Sequence, residues 1–258
     1  MGRLTGKVAI VTGSGSGIGA ATAKLMAHEG ASVVVADINL SAAESVARDL
    51  DGAMAVEVDV TDELSVINMI NTAVASYGGL DVLHNNATDS STNALDMDVV
   101  NIDMQVFDRL VAVNLKGVVM GCKHAIPHML KRGGGSIVNT ASIEGFVGRG
   151  VRTVYGSCKA GVVQFSRGVA AQYGKKGIRC NAVAPGLVLT PALAHHYTSQ
   201  EQIDSSLDIY PMPRLCTPED IANVVLFLAS DEAGYVNGAV LMAEGGATIY
   251  LPSKQFVV

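Results

Sequence analysis

The feature that most constrains the fold is a regular alternation of short apolar runs with amphipathic stretches along the 258-residue chain. The runs are rich in valine, isoleucine and alanine and are almost continuously apolar, which is typical of parallel strands covered on both faces. The predicted strands are KVAIVTG (7–13), SVVVAD (32–37), AMAVEVDV (53–60), LDVLHNN (80–86), GSIVNTAS (135–142), IRCNAVAP (178–185) and AVLMAEGG (239–246).

The segments between these strands carry helix signals. Ser41 and Glu44 have the spacing of a capping box, and Thr217 followed by Pro218 predicts an N-cap with proline at the first helical position. Strands alternating with helices predict an α/β fold, a Rossmann-type doubly wound seven-stranded parallel sheet with helices on both faces. Because no internal repeat or linker interrupts the pattern, residues 1–258 are predicted to form a single domain.

Charge and cysteine usage argue against several kinds of partner. The net charge is −6, and no lysine or arginine cluster offers a surface for nucleic acid or an anionic membrane. The four cysteines are scattered, without a CxxC pair, as in a protein with reduced thiols. The amino-terminal apolar run is too short for a signal peptide or a membrane span, so a cytoplasmic location is expected.

The first predicted strand leads into the glycine-rich turn TGSGSGIG (12–19). Gly13, Gly17 and Gly19 fit G-x-x-x-G-x-G, whereas Ala20 breaks a G-x-G-x-x-G match. Such glycines let a backbone turn tightly and approach a pyrophosphate seated at a helix N-terminus. A glycine-rich turn without a ligand is the alternative at this point.

Asp37 favours the cofactor interpretation. It ends the second predicted strand, where a carboxylate can accept both ribose hydroxyls of an adenosine, although an aspartate there is also a common turn former. Asp59, predicted to close the third strand, is a further candidate for the adenine side. Asp37 would repel a 2′-phosphate, and no lysine or arginine occurs in 8–23 or 38–47, so NAD is predicted rather than NADP.

Tyr155 and Lys159 lie four residues apart in a helix predicted over about 153–173, and therefore on one face. A lysine ammonium close to a phenol favours the phenolate and lowers the pKa of the phenol toward a useful range. A surface lysine beside a half-buried tyrosine is the alternative. Ser142 ends the fifth predicted strand, where its hydroxyl can bond a substrate oxygen or simply cap a turn.

In these motifs the chain resembles the classical short-chain dehydrogenase/reductase family over nearly its whole length. The motifs that carry the resemblance, in family order, are TGSGSGIG (12–19), Asp37, DV (59–60), NNA (85–87), Asn114, Ser142, YGSCK (155–159) and PGLVLT (185–190).

The resemblance implies an NAD-dependent interconversion of a secondary alcohol and a ketone. It implies that Tyr155 is the general acid/base, that Ser142 polarises the substrate carbonyl, and that Lys159 binds the nicotinamide ribose and lowers the Tyr155 pKa. Asn114 would hold a water in a proton relay, and Asn85 would support the cofactor site. The cofactor would be held by Gly13, Ser16, Gly17, Ile18, Gly19, Asp37, Asp59, Val60, Asn86, Ala87, Tyr155, Lys159, Pro185, Gly186, Val188 and Thr190.

The chain departs from the family pattern at four places. Thr88 follows NNA where glycine is usual, RLC (214–216) replaces Arg-x-Gly, and AEGG (243–246) replaces Asp-Gly-Gly. The acidic stretch 89–106 is long for the family and is given no role.

The segment 187–213 is expected to form a substrate lid. Tyr197, Leu207, Tyr210 and Met212 suit a mobile cover over an apolar ligand, and Glu144 is expected to disfavour an anion. An apolar cyclic alcohol, such as a hydroxysteroid or an alicyclic alcohol, is the favoured substrate. A 3-oxoacyl thioester reductase and a non-catalytic dinucleotide sensor are the alternatives.

Apolar residues on more than one face of the helices around 104–130 and 153–173 suggest a homo-oligomer, and the resemblance implies a tetramer. His124 and His128 have the spacing of a metal pair, but Pro127 is expected to interrupt their helix, and no metal is predicted. Arg149, Arg152 and the pair at 195–196 are interpreted as surface or interface residues rather than substrate ligands.

Overall fold

A computed structural model describes residues 2–194 and 197–250. Within these ranges, seven parallel strands form one sheet in the order β3-β2-β1-β4-β5-β6-β7. The predicted Rossmann-like α/β fold is confirmed. The strands are β1 Val8–Thr12, β2 Ser32–Asp37, β3 Ala53–Glu57, β4 Val82–Asn85, β5 Gly135–Thr140, β6 Ile178–Pro185 and β7 Val240–Ala243.

Helices connect the strands and cover both faces of the sheet. They are α1 Gly17–His28, α2 Leu40–Ala47, α3 Glu63–Tyr77, α4 Ser90–Asn93, α5 Met104–Val111, α6 Gly117–Lys131, α7 Thr153–Tyr173, α8 Pro191–Ala194, α9 Gln200–Leu207 and α10 Pro218–Ala229. A π-helical turn, Ala112–Lys116, joins α5 to α6, and a 3₁₀ turn, Ile143–Gly145, follows β5.

The predicted helix starts are partly confirmed. Thr217 caps α10, Pro218 occupies its first turn, and Asp220 completes a capping box. The Ser41–Glu44 capping box is wrong, because α2 is capped by Asn39, whose side chain accepts a hydrogen bond from the Ala42 N–H.

Two apolar cores hold the layers together. One lies between the sheet and α3, α6 and α7, and contains Ile10, Leu83 and Ile137. The other lies between the opposite face and α1 and α10, and contains Val11 and Val138. Adjacent residues of one strand thus belong to opposite cores, which explains why the strands are apolar throughout.

The sheet order reverses between β1 and β4. The first three strands run outward from β1 in one direction and the later strands continue from β4 in the other. In open parallel sheets, ligands bind at the carboxyl ends of the strands at such a reversal. None of the helices in the described ranges has the length and apolarity needed to cross a membrane.

Candidate active site

The glycine turn between β1 and α1 has a backbone that requires glycine. Gly13 has φ +65°, and a Cβ there would lie 2.8 Å from the Cα of Ala87 in the loop after β4. Gly17 has φ +53° and opens α1. Ser16, the N-cap of α1, is exposed and makes no side-chain capping bond within the described residues. The turn therefore leaves the N-terminus of a twelve-residue helix available to an anionic group.

The Asp37 carboxylate lies against this turn. Its Oδ2 accepts a hydrogen bond from the Gly15 N–H at 2.8 Å, and its Oδ1 accepts one from the Asn39 N–H at 2.9 Å. The turn-forming alternative is therefore observed, but each oxygen has a further lone pair that can accept a ligand hydroxyl.

Asp59 does not close a strand as predicted, because β3 ends at Glu57. Its Oδ1 instead accepts hydrogen bonds from the Thr61 N–H (2.9 Å) and hydroxyl (2.7 Å). Partial burial acts to raise the pKa of Asp59, but these two bonds and the Arg109 charge together lower it. Asp59 thus shapes the loop in which Val60 lies against Gly117 of α6.

The loop after β4 fastens the glycine turn to the sheet. The Asn86 side chain donates to the Thr12 carbonyl at 3.0 Å and to the Gly13 carbonyl at 3.3 Å. The Ala87 N–H donates to the Thr12 hydroxyl at 3.2 Å. The Asn85 side chain donates to Asn139 Oδ1 at 2.9 Å and to Cys122 Sγ at 3.5 Å, so it joins β4 to β5 and to α6.

The PGLVLT segment (185–190) begins at the end of β6, in the other half of the sheet, and lies close to the glycine turn. Pro185 ends β6, and the Gly186 N–H donates to the carbonyl of Ala243 at 3.3 Å. Val188 is buried. The Thr190 methyl would lie 3.3 Å from a Cβ on Gly17, so the structure brings together residues more than 170 positions apart. Ile18 packs beneath the turn against the second core.

Lys159, Ser142 and Tyr155 meet beyond the carboxyl end of β5. Lys159 is 2% exposed, and its Nζ donates to the Thr140 carbonyl at 2.9 Å and lies 5.5 Å from the centroid of the Tyr155 ring. Ser142 accepts a hydrogen bond from the Glu144 N–H at 3.2 Å, which is the capping alternative weighed above. Its hydroxyl proton remains available for a substrate oxygen.

Asn114 is fully buried in the π-helical turn between α5 and α6. Its Nδ2 donates to the Leu110 carbonyl at 3.1 Å, and its Oδ1 accepts a hydrogen bond from the Thr88 hydroxyl at 2.9 Å. Single π-turns inside helices occur frequently at functional sites. Thr88 is a residue that the sequence pattern marked only as a departure, and its hydroxyl provides this contact.

The surroundings of Tyr155 do not lower the pKa of its phenol, although the spacing to Lys159 predicted that they would. Desolvation by the surrounding protein raises the pKa of the Tyr155 phenol to about 12, and the Glu144 carboxylate adds to the increase. The Arg152 guanidinium, 5.2 Å from the ring centroid, and the Ser142 hydroxyl act in the opposite direction. Desolvation also lowers the pKa of Lys159 to about 8. The predicted lowering of the phenol pKa is therefore outweighed by burial among the protein's own groups.

Arg149 and Arg152 both bind Glu144. Each Nη1 lies 2.8 Å from the same carboxylate oxygen, Oε1. With two guanidinium groups on one carboxylate, this cluster carries an excess positive charge. The expectation that Glu144 disfavours an anion stays a prediction, and the two guanidinium groups offset the charge on which it rests.

The predicted lid contains α8 and α9 within the described residues, and His195 and His196 lie outside them. Tyr210 connects the end of the predicted lid to its beginning, since its hydroxyl accepts a hydrogen bond from the Leu187 N–H at 3.1 Å. A cavity of about 280 Å³ lies beside Tyr210 and Met212, but among the described residues its lining does not include Ser142 or Tyr155.

Pro127 lies between His124 and His128, the two histidines with the spacing of a metal pair, but α6 continues through this proline, contrary to expectation. His124 Nε2 lies 2.8 Å from Glu63 Oε1, an ion-pair partner on α3. In the described part of the chain, no group of three or more histidine, cysteine or carboxylate side chains is arranged to hold a metal ion.

Known proteins are similar to this chain over most of its length. A family model described as "Enoyl-(Acyl carrier protein) reductase" matches residues 13–248. A probable short-chain type dehydrogenase/reductase of Bradyrhizobium diazoefficiens is 40% identical over 98% of this chain and 91% of its own length. The chain belongs to the short-chain dehydrogenase/reductase family. Its homologues are oxidoreductases acting on CH–OH groups, and the family binds nicotinamide dinucleotides.

Other relatives have more specific names. The cis-4-hydroxycyclohexanecarboxylate dehydrogenase of Sinomonas cyclohexanicum is 42% identical over 94% of this chain and 96% of its own length. The 7alpha-hydroxysteroid dehydrogenase of Bacteroides fragilis is 38% identical over the full length of both chains. A solved structure of ribose-5-phosphate isomerase from Brucella melitensis 16M has a TM-score of 0.88 and 35% identity, covering 96% of this chain and 94% of the other.

Proposed function

We propose that this short-chain dehydrogenase/reductase interconverts a secondary alcohol and a ketone with NAD, and that its substrate is an apolar cyclic alcohol. The observation that carries the reaction type is the meeting of Ser142, Tyr155 and Lys159 at the carboxyl end of β5. An isomerisation of a sugar phosphate involves no net oxidation and would not require a site for a dinucleotide.

The residues have separate tasks in this proposal. Ser142 donates a hydrogen bond to the substrate oxygen, and Tyr155 takes the hydroxyl proton as the alcohol is oxidised. Lys159, anchored at the Thr140 carbonyl, places its ammonium near the ring and favours the phenolate. Asn114 stabilises the π-helical turn and, in this proposal, holds the water of the proton relay. Pro185, Gly186, Val188 and Thr190 would hold the nicotinamide end of the cofactor, which would supply the acceptor for the hydride of the carbinol carbon.

The glycine turn, the first turn of α1 and Asp37 together form a cradle that suits a dinucleotide. A side chain at Gly13 would meet Ala87, the first turn of α1 lacks a side-chain cap among the described residues, and the Asp37 carboxylate faces the glycine turn. These residues suit a pyrophosphate and an adenosine ribose. The negative charge of Asp37 is what supports NAD over NADP.

The substrate class is supported by exposed apolar side chains that follow Ser142 closely in the chain and by the names of the relatives. Phe146 and Val147 come directly after the 3₁₀ turn that follows β5 and are 45% and 41% exposed. They border a groove of about 350 Å³, whose lining among the described residues does not include Ser142 or Tyr155. The hydroxysteroid and hydroxycyclohexanecarboxylate dehydrogenases act on cyclic alcohols. The charge excess of the Glu144 cluster means that a carboxylate elsewhere on the ring is compatible with this surface.

A screen of NAD reduction tests the substrate class. We expect the largest kcat/KM with hydroxysteroids or alicyclic alcohols, because desolvating an apolar ring against Phe146 and Val147 favours binding. Cyclohexanol and 4-hydroxycyclohexanecarboxylate form a matched pair that reports the effect of a distal carboxylate. Efficient turnover of 3-hydroxyacyl thioesters alone would favour the 3-oxoacyl thioester reductase. A relative from Thermotoga maritima that is 38% identical is named 3-oxoacyl-[acyl-carrier-protein] reductase. Cofactor binding with no turnover on any substrate would favour a dinucleotide sensor.

We further propose a cytoplasmic homotetramer. Met104 and Phe107 on α5 are 61% and 36% exposed, and Leu130 near the end of α6 is also exposed. Apolar side chains on neighbouring helices favour burial against another copy. Sedimentation at micromolar concentration is expected to give a tetramer, and a monomer under these conditions would contradict the proposal.

A further inference from the structure

The helix that carries Tyr155 begins in an unusual way. Arg152, its N-cap, has φ 67° and ψ 36°, and among the described residues it is the one non-glycine residue with positive φ. Such a conformation is uncommon outside glycine, asparagine and aspartate, and it persists where the surroundings hold it in place. Arg152 makes no side-chain capping bond to the helix.

The missing cap is supplied by Asp96, from the acidic stretch that sequence patterns left without a role. Asp96 is 3% exposed. Its Oδ2 accepts a hydrogen bond from the Tyr155 N–H at 2.7 Å, and its Oδ1 accepts one from the Val154 N–H at 3.4 Å. Its main-chain carbonyl accepts a hydrogen bond from the Arg152 N–H at 2.9 Å.

The hydrogen bonds to Asp96 stabilise the first turn of α7, where a helix is least stable. The first N–H groups of an α-helix have no partner within the helix, so the first turn frays unless a cap fixes it. The Gly156 N–H already bonds the Arg152 carbonyl, whereas Tyr155 lies one residue earlier and depends on an outside acceptor. A buried carboxylate makes stronger hydrogen bonds to N–H groups than a neutral acceptor.

We propose that Asp96 is a positioning residue, which fixes the backbone of Tyr155 and thereby the place of its phenol beside Ser142. This inference rests on the proposed acid/base role of Tyr155. A displacement of about 1 Å in a reacting group can lower a rate by about 100-fold. Asp96 therefore matters for the chemical step more than for cofactor binding, since the glycine turn and Asp37 lie on other elements.

The test compares Asp96→Ala with Asp98→Ala. Asp98 belongs to the same acidic stretch and accepts hydrogen bonds from the Val100 N–H and the Asn101 side chain, but it is exposed and both partners lie within three residues of it. We expect Asp96→Ala to lower kcat by about 10- to 100-fold with NADH affinity changed by less than about threefold. Asp98→Ala is expected to keep the wild-type kcat, and Asp96→Asn, with one acceptor oxygen, is expected to recover part of the loss.

Two measurements distinguish a positioning role of Asp96 from a general contribution to the stability of the fold. The deuterium isotope effect on kcat is expected to rise in Asp96→Ala, because the chemical step becomes slower relative to product release. Amide hydrogen exchange at Val154 and Tyr155 is expected to accelerate by about tenfold or more, with protection retained around Val162 and Val169 in the middle of α7. Asp96→Asn is measured in the same way, so an Asp96→Ala variant that does not fold still leaves a decisive comparison.

Several results would overturn the inference. These are an unchanged kcat or unchanged exchange at Tyr155 in both Asp96 variants, or a loss of NADH affinity as large as the loss of kcat. Failure of the proposed function would look different: Tyr155→Phe would remain active, or no alcohol would be oxidised, while the exchange measurement would still report whether Asp96 holds the first turn.

Discussion

Replacing Tyr155 with phenylalanine is expected to lower turnover by about 10³-fold or more while leaving NADH affinity within about threefold of the wild type. The substitution removes the hydroxyl that exchanges the substrate proton and retains the ring. The ring contacts with Arg152 and Lys159 are therefore preserved. Steady-state kinetics together with NADH fluorescence titration measure the two effects separately.

Tyr173→Phe provides the matched control. Tyr173 ends the same helix and packs against the first core, far along α7 from Tyr155, so the same loss of one hydroxyl is expected to leave kcat unchanged. Near-normal activity of Tyr155→Phe would contradict the assignment of this residue as the acid/base.

The pH dependence follows from the same group. Because desolvation raises the pKa of the Tyr155 phenol to about 12, the phenolate fraction increases with pH across the whole assay range. The rate of alcohol oxidation is therefore expected to rise from about pH 6 to about pH 8 in the wild type, and the residual rate of Tyr155→Phe is expected to lose this dependence. Above this range Lys159, whose pKa burial lowers to about 8, loses the ammonium that favours the phenolate. A rate that falls over this range in the wild type would argue against a tyrosine base.

The second large effect concerns the cofactor, for which we expect the wild type to prefer NAD over NADP by more than about 100-fold in kcat/KM. A 2′-phosphate placed against the Asp37 carboxylate brings two negative charges together, which costs several kcal/mol when water is excluded. Each 1.4 kcal/mol corresponds to about a tenfold change in affinity. Kinetics with both cofactors at matched substrate concentration measure the ratio.

Asp37→Asn removes the charge and retains an oxygen that can accept the Gly15 N–H, so the glycine turn is kept in place. We expect this variant to reduce the preference by about tenfold or more, chiefly through better use of NADP. Asp51→Asn, at an exposed residue before β3, removes the same charge outside the cradle and is expected to leave the ratio unchanged. Equal use of both cofactors by the wild type would refute the role of Asp37.

The sequence by itself determined the class of fold and the residue types of the candidate site. Apolar runs that alternate with helices predicted the parallel sheet, since strands covered on both faces require apolar side chains at every position. The limits of α7 could also be predicted from the local sequence. The i, i+4 spacing of Tyr155 and Lys159 predicted that both lie on one face of this helix. Strand ends were less certain: β3 stops at Glu57, and Asp59 serves the following loop.

Only the tertiary structure decided how distant segments act on the site. Asp96 reaches the Tyr155 N–H across 59 residues of sequence, and Thr88 reaches Asn114 across 26. Burial likewise raised the phenol pKa where an adjacent lysine alone predicted a decrease. Periodicity and capping patterns report contacts within one element, whereas these effects depend on which side chains the packing of β4, β5 and α7 brings within hydrogen-bond range and shields from water.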